Sequence, residues 1–179
     1  MSDIRVARRY AKSLILISQE MNNLDQVHED MVLVRDTVEE SRDLELLLKS
    51  PIVNSGKKRL ILEAIFGGKV AEVTTKFFQI LLRKGRERFL FEITKQFHLQ
   101  YNDLNSIEMA EVVTPFALTE ELRQSFIGVV KEVSGKSGVE LRETVNEELI
   151  GGYVLRIRDR QIDDSVRSRL NDLAQQLKK

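Results

Sequence analysis

Residues 146–177 read NEELIGGYVLRIRDRQIDDSVRSRLNDLAQQL and contain three successive patterns. Gly151 and Gly152 are adjacent, and such a pair suits a bulge or a close backbone approach because glycine has no Cβ. The following residues alternate with period two, which predicts a strand whose buried face is formed by Tyr153, Leu155 and Ile157. After a polar turn, Ser165 can cap a helix whose apolar residues have helical spacing: Val166, Leu170, Leu173 and Leu177.

The composition of the chain is ordinary for a globular protein. Its 179 residues suffice for one domain or two small ones, and its 28 basic residues balance 28 acidic ones. No global field therefore favours nucleic acid or an anionic membrane. The absence of cysteine excludes disulfides and thiol chemistry. The apolar run 14–17 is too short for a signal-peptide core or a membrane span of ~20 residues, so we expect any membrane association to be indirect.

The first part of the chain, residues 1–104, contains six amphipathic segments joined by short connectors, which predicts a six-helix bundle. The first and fifth segments have apolar residues on more than one side. In the first, Ile4, Ile15 and Leu16 lie off the main stripe, and in the fifth Phe78 and Leu82 do. The second side could be more core, or it could receive another helix; the pattern leaves both interpretations open.

The pattern changes after Asn105, and residues 105–179 predict a small α+β domain. Strands are indicated by Ile107, Met109 and Val112-Val113, and again by Val139, Leu141 and Val145. Between them, Thr119 begins a helix whose predicted inner face is Leu122, Phe126, Val129, Val130 and Val133. The fold class is therefore mainly α, with a helical bundle followed by the mixed domain.

Residues that would carry catalysis or hold a cofactor do not assemble into a recognisable site. The two histidines, His28 and His98, are far apart in the sequence and have no cysteine to assist them, so we expect no metal site. Gly67-Gly68-Lys69 lacks the spacing of a phosphate loop. Residues 56–59, GKKR, lie at a helix start, where we expect the lysines to extend into water. We therefore predict a chain that is not an enzyme and takes no cofactor.

One local basic cluster comprises Arg156, Arg158, Arg160, Arg167 and Arg169. It could be a solvated face, a docking face for an acidic helix, or the contact surface of a nucleic-acid-binding adaptor. No aromatic platform lies beside it and acidic residues interrupt it, which disfavours nucleic acid.

Four stretches, in this order, resemble the delta subunit family of the proton-translocating rotary ATP synthase, whose mitochondrial relative is the oligomycin-sensitivity-conferring protein. They are VARRYAKSL near the start, SPIV, FFQILLRKGRERFLFEITKQF in the middle, and LIGGYVLRIRD followed by IDDSVRSRL. The resemblance covers nearly the whole chain.

The resemblance implies a stator subunit that joins the catalytic head to the peripheral stalk at the cytoplasmic face of the inner membrane. In the family, the N-terminal helix of an alpha subunit binds between the first and fifth helices. The matching positions are Tyr10, Ala11, Leu14, Ile15, Phe77, Phe78, Leu81 and Leu82. The C-terminal domain receives the C-terminal helix of the stalk b subunit, for which the candidate residues are Arg156, Arg158, Val166 and Leu170.

Two positions depart from the family pattern. Arg158 occupies a turn position where the family commonly has glycine, and Asp164 stands where a second glycine usually precedes the capping serine. Arginine adopts a left-handed backbone poorly, so the hairpin turn is the part of the prediction that the residues support least.

Overall fold

The computed structural model describes residues 2–170 and divides the chain into two compact units, Met1–Tyr101 and Asn102–Lys179. The described residues are mostly helical, and a four-stranded sheet lies in the C-terminal region. This confirms the prediction of a mainly α chain with a small mixed part after the helices.

Helices account for most of the first unit. They are α1 (Ser2–Glu20), α2 (Leu24–Glu40), α3 (Arg42–Lys49), α4 (Ser55–Phe66), α5 (Glu72–Arg83), a short 3-10 turn (Glu87–Phe89) and α6 (Leu90–Leu104), whose last residues fall in the second unit. Side chains cap two of these helices: Ser41 accepts a hydrogen bond from the Leu44 amide, and Asn54 accepts one from Lys57.

The start of α5 is capped from another helix. Its N-cap residue, Ala71, has no side chain that could accept a hydrogen bond. Asp30 of α2 takes this role, because its Oδ2 accepts from the Ala71 amide at 2.8 Å and from the Thr74 hydroxyl at 2.5 Å. The contact holds α2 against α5 and satisfies a backbone amide that would otherwise be orphaned.

The second unit contains one sheet with the strand order β2-β1-β3-β4. The strands are β1 (Ile107–Thr114), β2 (Gly138–Val145), β3 (Val154–Ile157) and β4 (Arg160–Asp163). β1 and β2 are parallel and are connected through α7 (Glu120–Ser134), whereas β3 and β4 form an antiparallel hairpin beside β1. One core joins α7 to the sheet and contains Ala110, Val112, Phe126, Val130, Leu155 and Ile157.

The predicted alternation is confirmed for Leu155 and Ile157, which are buried, and for Arg156, which is exposed, whereas Tyr153 precedes β3 and is half-buried. In β1 the apolar residues indicated the strand but not its inner face. Met109 is exposed, whereas Glu108 and Ala110 are buried. Glu108 can be buried because Arg158 and Lys136 both approach its carboxylate.

The predicted inner face of α7 is wrong in part. Phe126 and Val130 are buried, but Leu122, Val129 and Val133 each remain 38–39% exposed. Phe126 and Val130 pack against Ala110, Val112, Leu155 and Ile157, and the helix can turn only one side toward this core. An apolar stripe therefore stays in contact with solvent.

The hairpin turn between β3 and β4 forms although glycine is missing. Arg158 has φ of +53°, which costs about 1 kcal/mol for a residue with a Cβ. Its Nε lies 2.8 Å from Oε1 of the buried Glu108, and this ion pair offsets the backbone cost. Asp164 does not adopt a left-handed conformation.

Gly152 is the glycine that the fold requires at the end of the 146–152 connection. Its φ is +79°, and a Cβ would lie 2.2 Å from the carbonyl oxygen of Asp164. Hydrogen bonds fix this approach, because the Asp164 amide donates to Tyr153 and the Val166 amide donates to Gly151. The predicted close backbone approach at the paired glycines is confirmed.

We expect Gly152→Ala to destabilise the second unit by more than about 2 kcal/mol, since both the backbone conformation and the space exclude a methyl group. The matched control is Gly128→Ala in α7, where nothing lies within 4 Å of the added Cβ. That change should stabilise by about 0.5–1 kcal/mol. Hydrogen exchange of the β1 and β3 amides in the full chain measures both effects, and equal protection in the two variants would contradict the role assigned to Gly152.

Candidate docking surfaces

The eight residues predicted to line a groove on α1 and α5 lie mostly in the core of their own unit. All except Tyr10 are less than 10% exposed: Ala11, Leu14, Ile15, Phe77, Phe78, Leu81 and Leu82. Tyr10 is half-buried, and its ring meets the ring of Phe77 edge-on with 6.4 Å between the centroids. These two aromatic residues therefore join α1 to α5, and the others stabilise the fold beneath them.

Large apolar side chains remain exposed on the same sides of the two helices. Ile17 lies two turns after Tyr10 on α1 and is 44% exposed, and Met21 follows one turn later. Ile80 lies one turn after Phe77 on α5 and is 45% exposed. The spacing in the sequence assigned Ile17 and Met21 to the main apolar stripe of the first helix. Only their exposure in the structure shows that these two members of the stripe face solvent.

The candidate stalk residues do not form one surface. Arg156 lies on the face of the sheet away from α7 and pairs with Glu111 at 3.0 Å, whereas Arg158 turns toward the buried Glu108. Val166 and Leu170 are exposed, and they are the first and the last of the helical residues 166–170. The predicted apolar positions Leu173 and Leu177 lie outside the described residues.

The five-arginine cluster is dispersed. Arg156, Arg158 and Arg169 each have a carboxylate partner, and only Arg160 and Arg167 extend without an ion pair among the described residues. Neutralised and divergent guanidinium groups do not make a track for phosphates. The nucleic-acid adaptor hypothesis has no support from this arrangement.

The exposed stripe of α7 was missed as a surface because its residues were assigned to the core. Leu122, Val129 and Val133 follow i, i+7 and i+11 spacing on one side of the helix. Apolar residues at helical spacing lie both on this side of α7 and on the side of Phe126 and Val130, so the sequence did not show which of the two faces the core.

The prediction that Lys58 extends into water is wrong. It is 2% exposed, and its Nζ donates to the carbonyl oxygen of Leu48 at 3.0 Å and to Oε1 of Glu87 at 2.8 Å. The side chain of Glu87 is itself only 13% exposed. This buried ion pair ties α4 to the end of α3 and to the 3-10 turn before α6.

The two histidines, distant in the sequence, are adjacent in the first unit. His28 Nε2 and His98 Nδ1 are 3.0 Å apart, and the His28 ring stacks on Tyr101 with 3.8 Å between the centroids. Desolvation and the hydrogen bond to Asp25 raise the pKa of Tyr101. Among residues 2–170, no group of three or more His, Cys, Asp or Glu side chains could hold a metal ion.

The cavity between α4 and α5 is small. It measures about 30 Å³, room for one water, and is lined by residues that include Leu62, Phe66, Phe78 and Leu82.

No helix within the described part of the chain is long and apolar enough to cross a membrane. What the described residues do offer is exposed apolar helix surface in each of the two units.

Comparisons with known proteins agree over nearly the full length. Residues 6–177 match the family described as ATP synthase delta (OSCP) subunit. The chain is similar to ATP synthase subunit delta of Cytophaga hutchinsonii, with 40% identity over 97% of this chain and 94% of the relative. The same subunit of Christiangramia forsetii is 36% identical over 99% and 96%. A chain in the Toxoplasma gondii mitochondrial ATP synthase hexamer has the same fold, with a TM-score of 0.73 at 23% identity and 97% coverage of both chains.

We expect Lys58→Ala to destabilise the first unit by roughly 3 kcal/mol, because it leaves the Glu87 carboxylate buried without its cation. Lys57→Ala, at the exposed neighbouring position, is the matched control and should change stability by less than about 0.5 kcal/mol. Urea unfolding followed by far-UV circular dichroism measures the difference. Equal midpoints for the two variants would mean that the ion pair contributes nothing.

Proposed function

The chain belongs to the ATP synthase delta (OSCP) subunit family, a non-catalytic subunit family, and on that premise we propose that it is a stator subunit linking the catalytic head to the stalk b subunit. Holding the head against rotation lets proton flow drive ATP synthesis. No active site of its own is needed for this task, since the subunit transmits force and transforms no substrate.

The observation that carries this proposal is the exposed apolar surface of α1 and α5 beside the Tyr10–Phe77 contact. We assign the N-terminal helix of the alpha subunit to this surface. Tyr10 and Phe77 form its floor, and Ile17, Met21 and Ile80 contact the incoming helix from the sides. The buried members of the predicted set, such as Leu14 and Leu81, support the floor from below. An amphipathic helix that binds through its apolar face is a common recognition mode.

The energy required is within reach of apolar burial. A nanomolar site corresponds to about 12 kcal/mol. At ~25 cal/mol per Å² this needs on the order of 500 Å² of apolar area, and more once ordering costs are included. A helix bound along its apolar face buries an area of that order. A static link also requires slow dissociation, which tight binding provides.

The second unit would receive the C-terminal helix of the b subunit. Its exposed apolar residues are those of α7 (Leu122, Val129 and Val133) together with Val166 and Leu170. Arg156 and Arg158 contribute less in this proposal than the sequence indicated, because Glu111 and Glu108 already neutralise them. Residues 1–104, the six-helix bundle of the prediction, thus hold the head, and residues 105–179 hold the stalk.

The location follows from the two partners. The subunit is peripheral at the cytoplasmic face of the inner membrane and is held there only through the complex. Without a span of its own among the described residues, its membrane association depends on the stalk.

We expect Ile17→Asp and Ile80→Asp each to weaken binding of an alpha N-terminal peptide on the order of 100-fold, because a carboxylate would be desolvated in the contact. Isothermal titration calorimetry with the full chain measures this. Leu60→Asp, at an exposed apolar position of α4, is the control and should leave affinity unchanged.

Leu14 and Leu81 are unsuitable for this test, since each is 1% exposed and an aspartate there would unfold the unit. Unchanged affinity in both the Ile17 and the Ile80 variants, with circular dichroism spectra like the wild type, would reject the assigned surface.

A further inference from the structure

Four cations lie within six residues at the end of α5 and in the connection to α6. Arg83, Lys84, Arg86 and Arg88 are all exposed, in a chain whose net charge is zero. We call residues 83–88 the basic loop. Among the described residues, none of these four side chains has a carboxylate within ion-pair distance, unlike Arg156 or Arg158 in the second unit.

The one acid in the basic loop is directed inward. Glu87 pairs with the buried Lys58 at 2.8 Å, so its charge is already compensated inside the unit. The neighbouring arginines therefore present their charge to solvent without a local counter-ion. The fold thus places the carboxylate of Glu87 inside and the four cations outside. The sequence alone does not show this, because Glu87 stands among the cations.

The basic loop is held in one conformation by its backbone. The Gly85 amide donates to Leu82 at 3.2 Å, and the Arg86 amide donates to Leu81 at 2.8 Å, which closes the end of α5. Gly85 has φ of +61°, as this type of helix end requires. The backbone that carries the cations is thus fixed before binding, which lowers part of the ordering cost.

Two guanidinium groups share one aromatic ring. The Cζ atoms of Arg86 and Arg88 lie 5.9 Å and 4.4 Å from the centre of the Phe89 ring. Both guanidinium groups are positive, so the pair attracts a nearby anion. A carboxylate fits the planar donors of arginine in a bidentate manner.

Stabilisation of the helix end explains only part of the arrangement. Arg83 and Lys84 lie at the C-terminus of α5, where cations interact favourably with the helix dipole. Arg86 and Arg88 lie beyond the helix and gain nothing from the dipole. Their contact with Phe89 positions them but leaves their charge exposed.

The basic loop continues the apolar surface of α5. Arg83 and Lys84 follow the exposed Ile80 by three and four residues, which places them one turn further along the same side. A partner helix whose apolar face meets Ile80 would therefore bring its flanking residues to the loop. Phosphate backbones fit less well, because Phe89 is 5% exposed and offers no face for a base to stack on.

We propose that the basic loop is an electrostatic docking site for an acidic segment of the catalytic head, next to the apolar contact at Ile80. The inference rests on the proposed function. Exposed charges of this kind mainly steer association, so the loop acts on the rate of binding more than on the rate of release.

The test measures association of the full chain with the catalytic head of the same organism, depleted of this subunit, over a range of salt concentrations. Arg86→Gln combined with Arg88→Gln should lower the association rate constant about threefold to tenfold at low salt, and the difference should vanish at high salt. Lys131→Gln combined with Arg142→Gln removes the same charge from exposed positions of the second unit and should change the rate constant less than about twofold.

An equal loss in both double variants, or in neither, would overturn the proposal while leaving the proposed function intact. A wild-type chain that does not bind the head would reject both. A third arm presents duplex DNA and phosphatidylglycerol vesicles. Binding to either that disappears in the Arg86/Arg88 variant, with head association unaltered, would mean that the loop recognises phosphate and not carboxylate.

Discussion

The buried ion pair of Lys58 and Glu87 is the interaction on which the arrangement of the first unit depends. One ammonium group donates to the carbonyl oxygen of Leu48 and to Oε1 of Glu87, and so connects α3, α4 and the turn before α6. A charge that is 2% exposed demands such partners, because leaving either one unpaired costs several kcal/mol. The same contact removes the one acid from the outer side of the basic loop.

Each unit thus completes its core and keeps apolar helix surface outside it. In the first unit the core contains Leu14 and Leu81, while Ile17 and Ile80 stay outside. In the second unit Phe126 and Val130 are covered, while Val129 is not. Two separate apolar surfaces on units that are already folded suit the proposed role of a link between two other subunits.

The sequence predicted the elements better than their orientation. Alternation identified β3 and its buried residues, and the paired glycines indicated the close approach at Gly152, because each depends on local geometry. The inner face of α7 was misjudged because Val129 and Val130 are equally apolar, and only packing against the sheet, which buries Val130, distinguishes them. Lys58 and the His28–His98 contact were missed for a related reason: their partners are distant in the sequence, and nothing local marks them. For the proposed docking surface, the resemblance supplied α1 and α5, and most of the residues matched on them are covered by the core.

If the chain links the head to the stalk, it binds an alpha N-terminal peptide and a b C-terminal peptide at the same time. Native mass spectrometry of the full chain with both peptides measures this. The expected result is a complex with one copy of each component, in which neither peptide displaces the other as its concentration is raised. Mutually exclusive binding, in which the chain carries one peptide or the other but never both, would show that the chain is not this link.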